Sequence, residues 1–186
     1  MLRYFVLYVM ITLLCKVNAQ NISFYKEHIT FKIENGYFHV NGTYYLKNNQ
    51  NASNQIALFY PFPVDTLYSK ADSLTIYCME KNQEITDYKL GDRGVLFTCE
   101  VDSVVTLLIS YQQKLNCNEA RYLLTTTKQW MKPLEEATFE LIVPDEIQIT
   151  SFSYPPDRSL KIGNEMLYYW QKENFMPEED MIFIFN

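Results

Sequence analysis

The chain is poor in the residues that most often carry chemistry. Its 186 residues include two histidines, His28 and His39, and five glycines. Both histidines stand on the polar side of an alternating N-terminal pattern. Neither has a histidine or cysteine at metal-ligand spacing, so neither a triad base nor a zinc site is expected. Gly91 and Gly94 flank a turn with no helix after it, which excludes a phosphate-cradling loop. Asp87 and Asp92 stand near the same turn without the dense acidic run that calcium needs. Positive charge is also short: 16 Lys and Arg face 22 Asp and Glu, for a net charge of −6. A general nucleic-acid binder needs a basic face to neutralise phosphates, so that class is excluded. Helical periodicity is missing from every window longer than about ten residues. No metal and no cofactor is expected.

What is present begins with an export signal. Arg3 precedes an apolar run from Phe5 to Leu14, broken only by Thr12, and Val17-Asn18-Ala19 places small residues at the positions signal peptidase reads. The run is too short to span a bilayer, and no later run approaches the about 20 apolar residues of a membrane helix. Thr12-Leu13-Leu14 before Cys15 lacks the small residue that lipid attachment requires. The expectation is a signal peptide over 1–19, cleavage before Gln20, and one soluble extracytoplasmic domain over 20–186 (periplasmic, secreted or on the outer surface). Two packed β modules are the alternative. The leader carries Arg3 and Lys16 and no acid, so its loss leaves a more acidic chain.

With Cys15 gone, Cys78, Cys99 and Cys117 remain. Cys78 shares a strand face with Leu74 and Ile76, and Cys99 shares one with Val95 and Phe97. Both therefore point inward, and Cys78–Cys99 is the candidate disulfide, contributing about 3 kcal/mol in the chain-entropy model. Two buried free thiols acting as small hydrophobes are the alternative. Cys117, in Asn116-Cys117-Asn118-Glu119, reads as a loop thiol without an activating base.

Period-2 alternation fills the rest. Ile29, Phe31 and Ile33 alternate with Thr30 and Lys32, Asn35-Gly36 signals a hairpin, and Phe38, Val40, Tyr44 and Leu46 share the next apolar face. Further strands are expected at 56–60, 73–80, 84–90, 94–101, 104–113, 122–127, 137–143, 147–154, 166–172 and 181–185. Val104 to Ile109 reads as a strand covered on both faces, and 128–133 as a corner or one helical turn. The fold class that follows is all-β: an antiparallel β-sandwich of roughly ten strands with little helix.

Fifteen tyrosines and two tryptophans supply the candidate binding surface. Trp130 sits at the corner, and Tyr168 and Trp170 share one face of a strand with Tyr169 on the other. An exposed row of such rings stacks on sugars, whereas core packing is the ordinary use of large rings. Trp130, Tyr168 and Trp170 are the candidate ligand-binding residues. Paired carboxylates of a carbohydrate-active enzyme would be drawn from Glu119, Glu135, Glu136 and Asp145. Asn21, Asn41 and Asn51 each begin a glycosylation acceptor pattern.

Asn41-Gly42-Thr43-Tyr44-Tyr45-Leu46-Lys47-Asn48, followed by Ala57-Leu58-Phe59-Tyr60-Pro61-Phe62-Pro63, is similar to the strand, loop and Phe-Pro pattern of the domain in vault proteins and inter-alpha-trypsin inhibitors. Tyr122 to Thr127, Trp130 to Pro133, Ala137 to Glu140 and Pro144 resemble uncharacterised exported bacterial and archaeal β proteins. Asn18-Ala19-Gln20 resembles the leader end of exported proteins of Bacteroidetes-type bacteria. The resemblance implies a β-sandwich of the cell envelope and brings no catalytic residue. The function expected is a non-enzymatic exported binding or cell-envelope interaction module with a protein or glycan partner. The alternative is a carbohydrate-binding or carbohydrate-active protein.

Overall fold

A computed structural model describes residues 21–64 and 67–186. The expected leader and its cleavage site before Gln20 lie outside the described residues. β1 (Ile22–Glu34) and β2 (Tyr37–Asn48) form the first hairpin. Its turn residues Asn35 and Gly36 both take positive φ, 52° and 77°, which a type I′ turn requires and which this pair tolerates. There follow β3 (Asn54–Pro61), β4 (Tyr68–Cys78), β5 (Gln83–Glu84), β6 (Tyr88–Gly91), β7 (Gly94–Val101) and β8 (Val104–Leu115). The chain ends with β9 (Glu119–Tyr122), β10 (Leu134–Pro144), β11 (Ile149–Phe152), β12 (Arg158–Ile162), β13 (Glu165–Phe175) and β14 (Met181–Phe185).

The fold is all-β. Eight strands form one large sheet in the order β12-β13-β10-β1-β2-β8-β4-β5. Two three-stranded sheets, β11-β14-β9 and β3-β7-β6, lie on its inner face. The first covers the β1–β10–β13 half, where Phe31 meets Tyr122 and Phe183. The second covers the β2–β8 half, where Tyr60 and Phe62 pack on Tyr44 and Tyr111. The buried apolar residues of all three sheets form one continuous cluster.

Several expectations need correction. The large sheet is mixed, because β1 runs parallel to β10, with Lys26 opposite Glu136 through Lys32 opposite Ile142. Direction there is set by a long connection, which local alternation does not encode. Fourteen strands form where roughly ten are expected; among the additions, 84–90 is divided between β5 and β6, and β12 escapes the alternation pattern because every residue in it is exposed. Val104 to Ile109 is not covered on both faces. Val105, Leu107 and Ile109 are buried, while Val104 and Leu108 are each 37% exposed on the outer face.

Trp170, expected as a ligand-binding ring, is fully buried. It stands opposite Phe139 and packs edge-on against Phe152 at 5.7 Å and tilted against Phe183 at 5.9 Å between ring centroids. Its Nε1–H donates to the Tyr154 carbonyl at 2.8 Å, so its polar atom is satisfied inside the protein. Trp170→Ala is expected to cost about 3–5 kcal/mol, the range for emptying a large aromatic site in a core. Urea denaturation followed by far-UV circular dichroism measures it; a loss below about 1 kcal/mol would show that this indole does not bridge the layers.

Candidate functional site

The site begins with an irregularity in β1. Ile22 and Phe24 face inward, and so do Glu27, Ile29, Phe31 and Ile33, although the two sets differ in parity. The shift comes from one extra residue: Phe24 stands opposite Leu46 and Lys26 opposite Tyr45, which leaves Tyr25 as a β-bulge. Without it, Phe24 and Glu27 could not share a face. The bulge therefore places a carboxylic acid and an aromatic ring side by side in the inner layer.

Glu27 is 1% exposed, and its Oε1 has no hydrogen-bond partner among the described residues. Burial pushes its pKa up from 4.5 to about 8, because the low-dielectric interior disfavours the charged form. Directly across the hairpin stands Tyr44. Its hydroxyl meets the Tyr60 hydroxyl at 2.6 Å and the Tyr122 hydroxyl at 2.9 Å. One phenol comes from each of the three sheets, so this chain of hydroxyls joins the layers where they converge. Burial raises all three phenols well above their usual value, with the neighbouring Glu27 carboxyl adding to it. The Tyr111 hydroxyl is also buried without a partner.

Gly42 makes the space for Tyr44. A Cβ at Gly42 would collide with the Tyr44 ring, so the phenol lies flat along β2 only because that side chain is missing. Opposite it, Thr125–Trp130 forms a 3-10 turn held by Asp180. The Thr125 N–H and hydroxyl donate to Asp180 Oδ1 at 3.0 and 2.7 Å, and Arg121 donates twice to Oδ2, at 3.0 and 2.6 Å. Burial by itself would raise the Asp180 carboxyl, but these hydrogen bonds outweigh it and hold it below the usual carboxylate value. This anchoring explains why the expected strand over 122–127 stops at Tyr122: the threonines are drawn into the turn.

Between these elements lies a pocket of about 620 Å³, counting its open mouth. Glu27, Tyr44, Tyr60 and Tyr122 line its depth, with Leu46, Leu107 and Ile109 as apolar wall. Phe24, Phe59 and the turn residues Thr126, Thr127 and Trp130 line it as well. Phe59 is 58% exposed and stands at the rim, and Trp130 is half-buried with its ring 5.9 Å from that of Phe24. The make-up of apolar wall with a few polar groups matches that of small-molecule sites.

Of the sequence-derived candidates, Trp130 lines this pocket; Tyr168 does not, and packs on Phe152 at 5.0 Å instead. Cys78 and Cys99 are both buried and carry free thiols in this structure, in the manner of small hydrophobes and not of the bridge that strand parity suggested. Burial pushes the Cys99 thiol up to about 12, and the charge of Cys78 adds to the shift. Cys117 is a free thiol between β8 and β9. His28 and His39 are on the outer face, and His28 Nδ1 lies 2.5 Å from the Thr138 hydroxyl. The loop carboxylates are dispersed: Glu136 pairs with Lys26 at 2.8 Å, Asp145 with Lys161, and Glu119 accepts from the Tyr68 hydroxyl. Among the described residues no cluster of His, Cys, Asp and Glu could hold a metal ion, and no helix is long and apolar enough to cross a membrane.

Sequence reasoning missed Glu27, although the signal was available. Counting back in twos from Ile33 through Phe31 and Ile29 lands on it, which puts an acid on an apolar face.

A carboxyl held at about 8 in the fold and 4.5 in the open chain is protonated more readily when folded. Its contribution to stability is complete below about pH 4.5 and is lost as pH rises towards 8. Glu27→Gln is expected to flatten this decline and to stabilise the protein at pH 8 by a few kcal/mol. Urea midpoints of both proteins across that interval test it; parallel profiles would mean that the Glu27 carboxyl is solvated.

No protein-family model matches the sequence, and no curated protein is significantly similar to it. Its fold is nonetheless found in solved structures. A proposed nutrient-binding protein of Legionella pneumophila superimposes with a TM-score of 0.73 at 13% identity, over 89% of this chain and 67% of that one. An M1 zinc metallopeptidase of Deinococcus radiodurans gives 0.52 at 8% identity, over 88% of this chain and 42% of the enzyme. Yeast LTA4 hydrolase in complex with bestatin gives 0.51 at 13% identity, over 89% of this chain and 29% of the hydrolase. The chain thus spans less than half the length of both hydrolytic enzymes, and the likeness is one of fold.

Proposed function

We propose that this chain is an exported binding module that works by contact, taking a small ligand with an apolar body into the pocket between its sheets. The observation that carries the reading is the pocket itself: an aromatic-lined opening with a polar floor, contributed by all three sheets and framed by an anchored turn. Rigid sheets hold such a lining in place before the ligand arrives, which reduces the ordering cost of binding. The Legionella neighbour, described as a proposed nutrient-binding protein, is in keeping with it. Hydrolysis by paired carboxylates finds less support, since Glu27 is the one carboxylate in the pocket wall and that mechanism needs two across a cleft. Sugar stacking on a flat row of rings likewise loses support with Trp170 inside the core.

In a Trp170→Phe background, Trp130 is the one tryptophan left, so its emission reports on the pocket. Phenethyl alcohol is expected to shift or quench that emission saturably, and Trp130→Ala to weaken binding of the same compound measured by calorimetry. A linear, non-saturating response together with no calorimetric binding would sink the reading.

The site of action is proposed to be the cell envelope or beyond, on the strength of the leader and of the resemblance to exported β proteins. Expression in a Gram-negative host is expected to yield an extracytoplasmic product beginning at Gln20. A product retained inside the cell with residues 1–19 attached would contradict export.

A further inference from the structure

Burying a carboxyl group without a partner is costly, and proteins keep such groups where something outside the chain completes them. Glu27 fits that description: it is 1% exposed, its Oε1 lacks a partner, and it forms part of a pocket wall that opens to solvent. The same wall contains no lysine, arginine or histidine, so the protein supplies no cation to neutralise it. What the wall does supply is aromatic rings. Phe24, Tyr44, Tyr60, Tyr122 and Trp130 all border the pocket, and the faces of such rings attract cations.

We infer that the pocket recognises an organic amine, its ammonium group against Oε1 of Glu27 among the tyrosine rings and its hydrocarbon body along Leu46, Leu107 and Ile109. The inference rests on the reading of this pocket as a binding site and names the class of ligand it takes. An ammonium group offers three donors. One of them meets the unpartnered carboxylate oxygen in a charge-assisted hydrogen bond, the stronger kind. The phenols do not replace it: Tyr60, Tyr44 and Tyr122 bond to one another, and none of their hydroxyls partners Oε1. Glu27 is protonated at neutral pH when the pocket is empty, so an arriving ammonium displaces that proton to solvent. Facing Glu27 are Tyr44 on β2, Tyr60 on β3 and Tyr122 on β9, all held protonated by burial, so the carboxyl is the group that gives it up.

Two compounds with the same body separate the claims. Phenethylamine and phenethyl alcohol are titrated into the protein by calorimetry at pH 7.5, in buffers of differing ionisation enthalpy. The amine is expected to bind roughly tenfold or more tightly than the alcohol, as a charge-assisted hydrogen bond provides, and to release a proton that the alcohol does not. Glu27→Gln is expected to abolish that preference, and a far-UV circular dichroism spectrum like that of the unaltered protein shows that the variant is folded. Equal affinity of the two compounds, or an amine preference that survives Glu27→Gln, would overturn the inference while leaving the pocket a binding site. Absence of binding by both would overturn the pocket reading itself.

Discussion

The inner face of β1 carries alternate residues into the layer between the sheets, and the bulge at Tyr25 resets that alternation once. Everything at the candidate site depends on this reset. Ile29, Phe31 and Ile33 are fixed inward by apolar burial, since a shift of one residue would send all three to solvent. Glu27 lies in phase with them and is carried along. A regular strand would then have turned Phe24 outward; the extra residue turns it back. A single backbone irregularity thus places an acid and a ring together, in keeping with the tendency of bulges to sit beside functional sites.

The carboxyl is held there by stronger forces than its own desolvation. Phe31 alone meets Phe38, Phe139, Tyr122 and Phe183 within ring-contact distance, and the aromatic layer continues through Trp170 and Phe152. Dense ring packing makes β1 rigid enough to tolerate one costly group. The same packing explains why the carboxyl stays neutral in the empty pocket: burial desolvates it and no cationic side chain lines the pocket, so it keeps its proton. Asp180 shows the opposite solution. It is nearly as buried, but Arg121 and Thr125 provide donors, and it remains a low-pKa carboxylate that fixes the turn bearing Trp130.

The three sheets have distinct parts in this arrangement. The large sheet provides the acid and Tyr44, while one small sheet brings Tyr60 to it and the other brings Tyr122. No pair of sheets alone would close the hydroxyl chain or the pocket. The likeness to the Legionella protein and to parts of two hydrolytic enzymes places this layering among known folds. The chemistry of the pocket belongs to this chain's own residues.

Alternation, turn dipeptides and the lack of helical period were enough to establish an all-β fold from the amino acids alone. The Asn35-Gly36 hairpin and the inward faces of β1 and β2 were legible because the pleat has a fixed period of two. Trp130 was legible as a ring at a corner. Other features depend on residues distant in sequence. The parallel pairing of β1 with β10 joins segments 110 residues apart, and the burial of Trp170 depends on Phe152 and Phe183 arriving from other strands. Only the folded chain decided that Tyr44, Tyr60 and Tyr122 meet, and that Glu27 Oε1 is left without a partner among the described residues. Periodicity states which way a side chain points, and long-range packing alone states what it finds there.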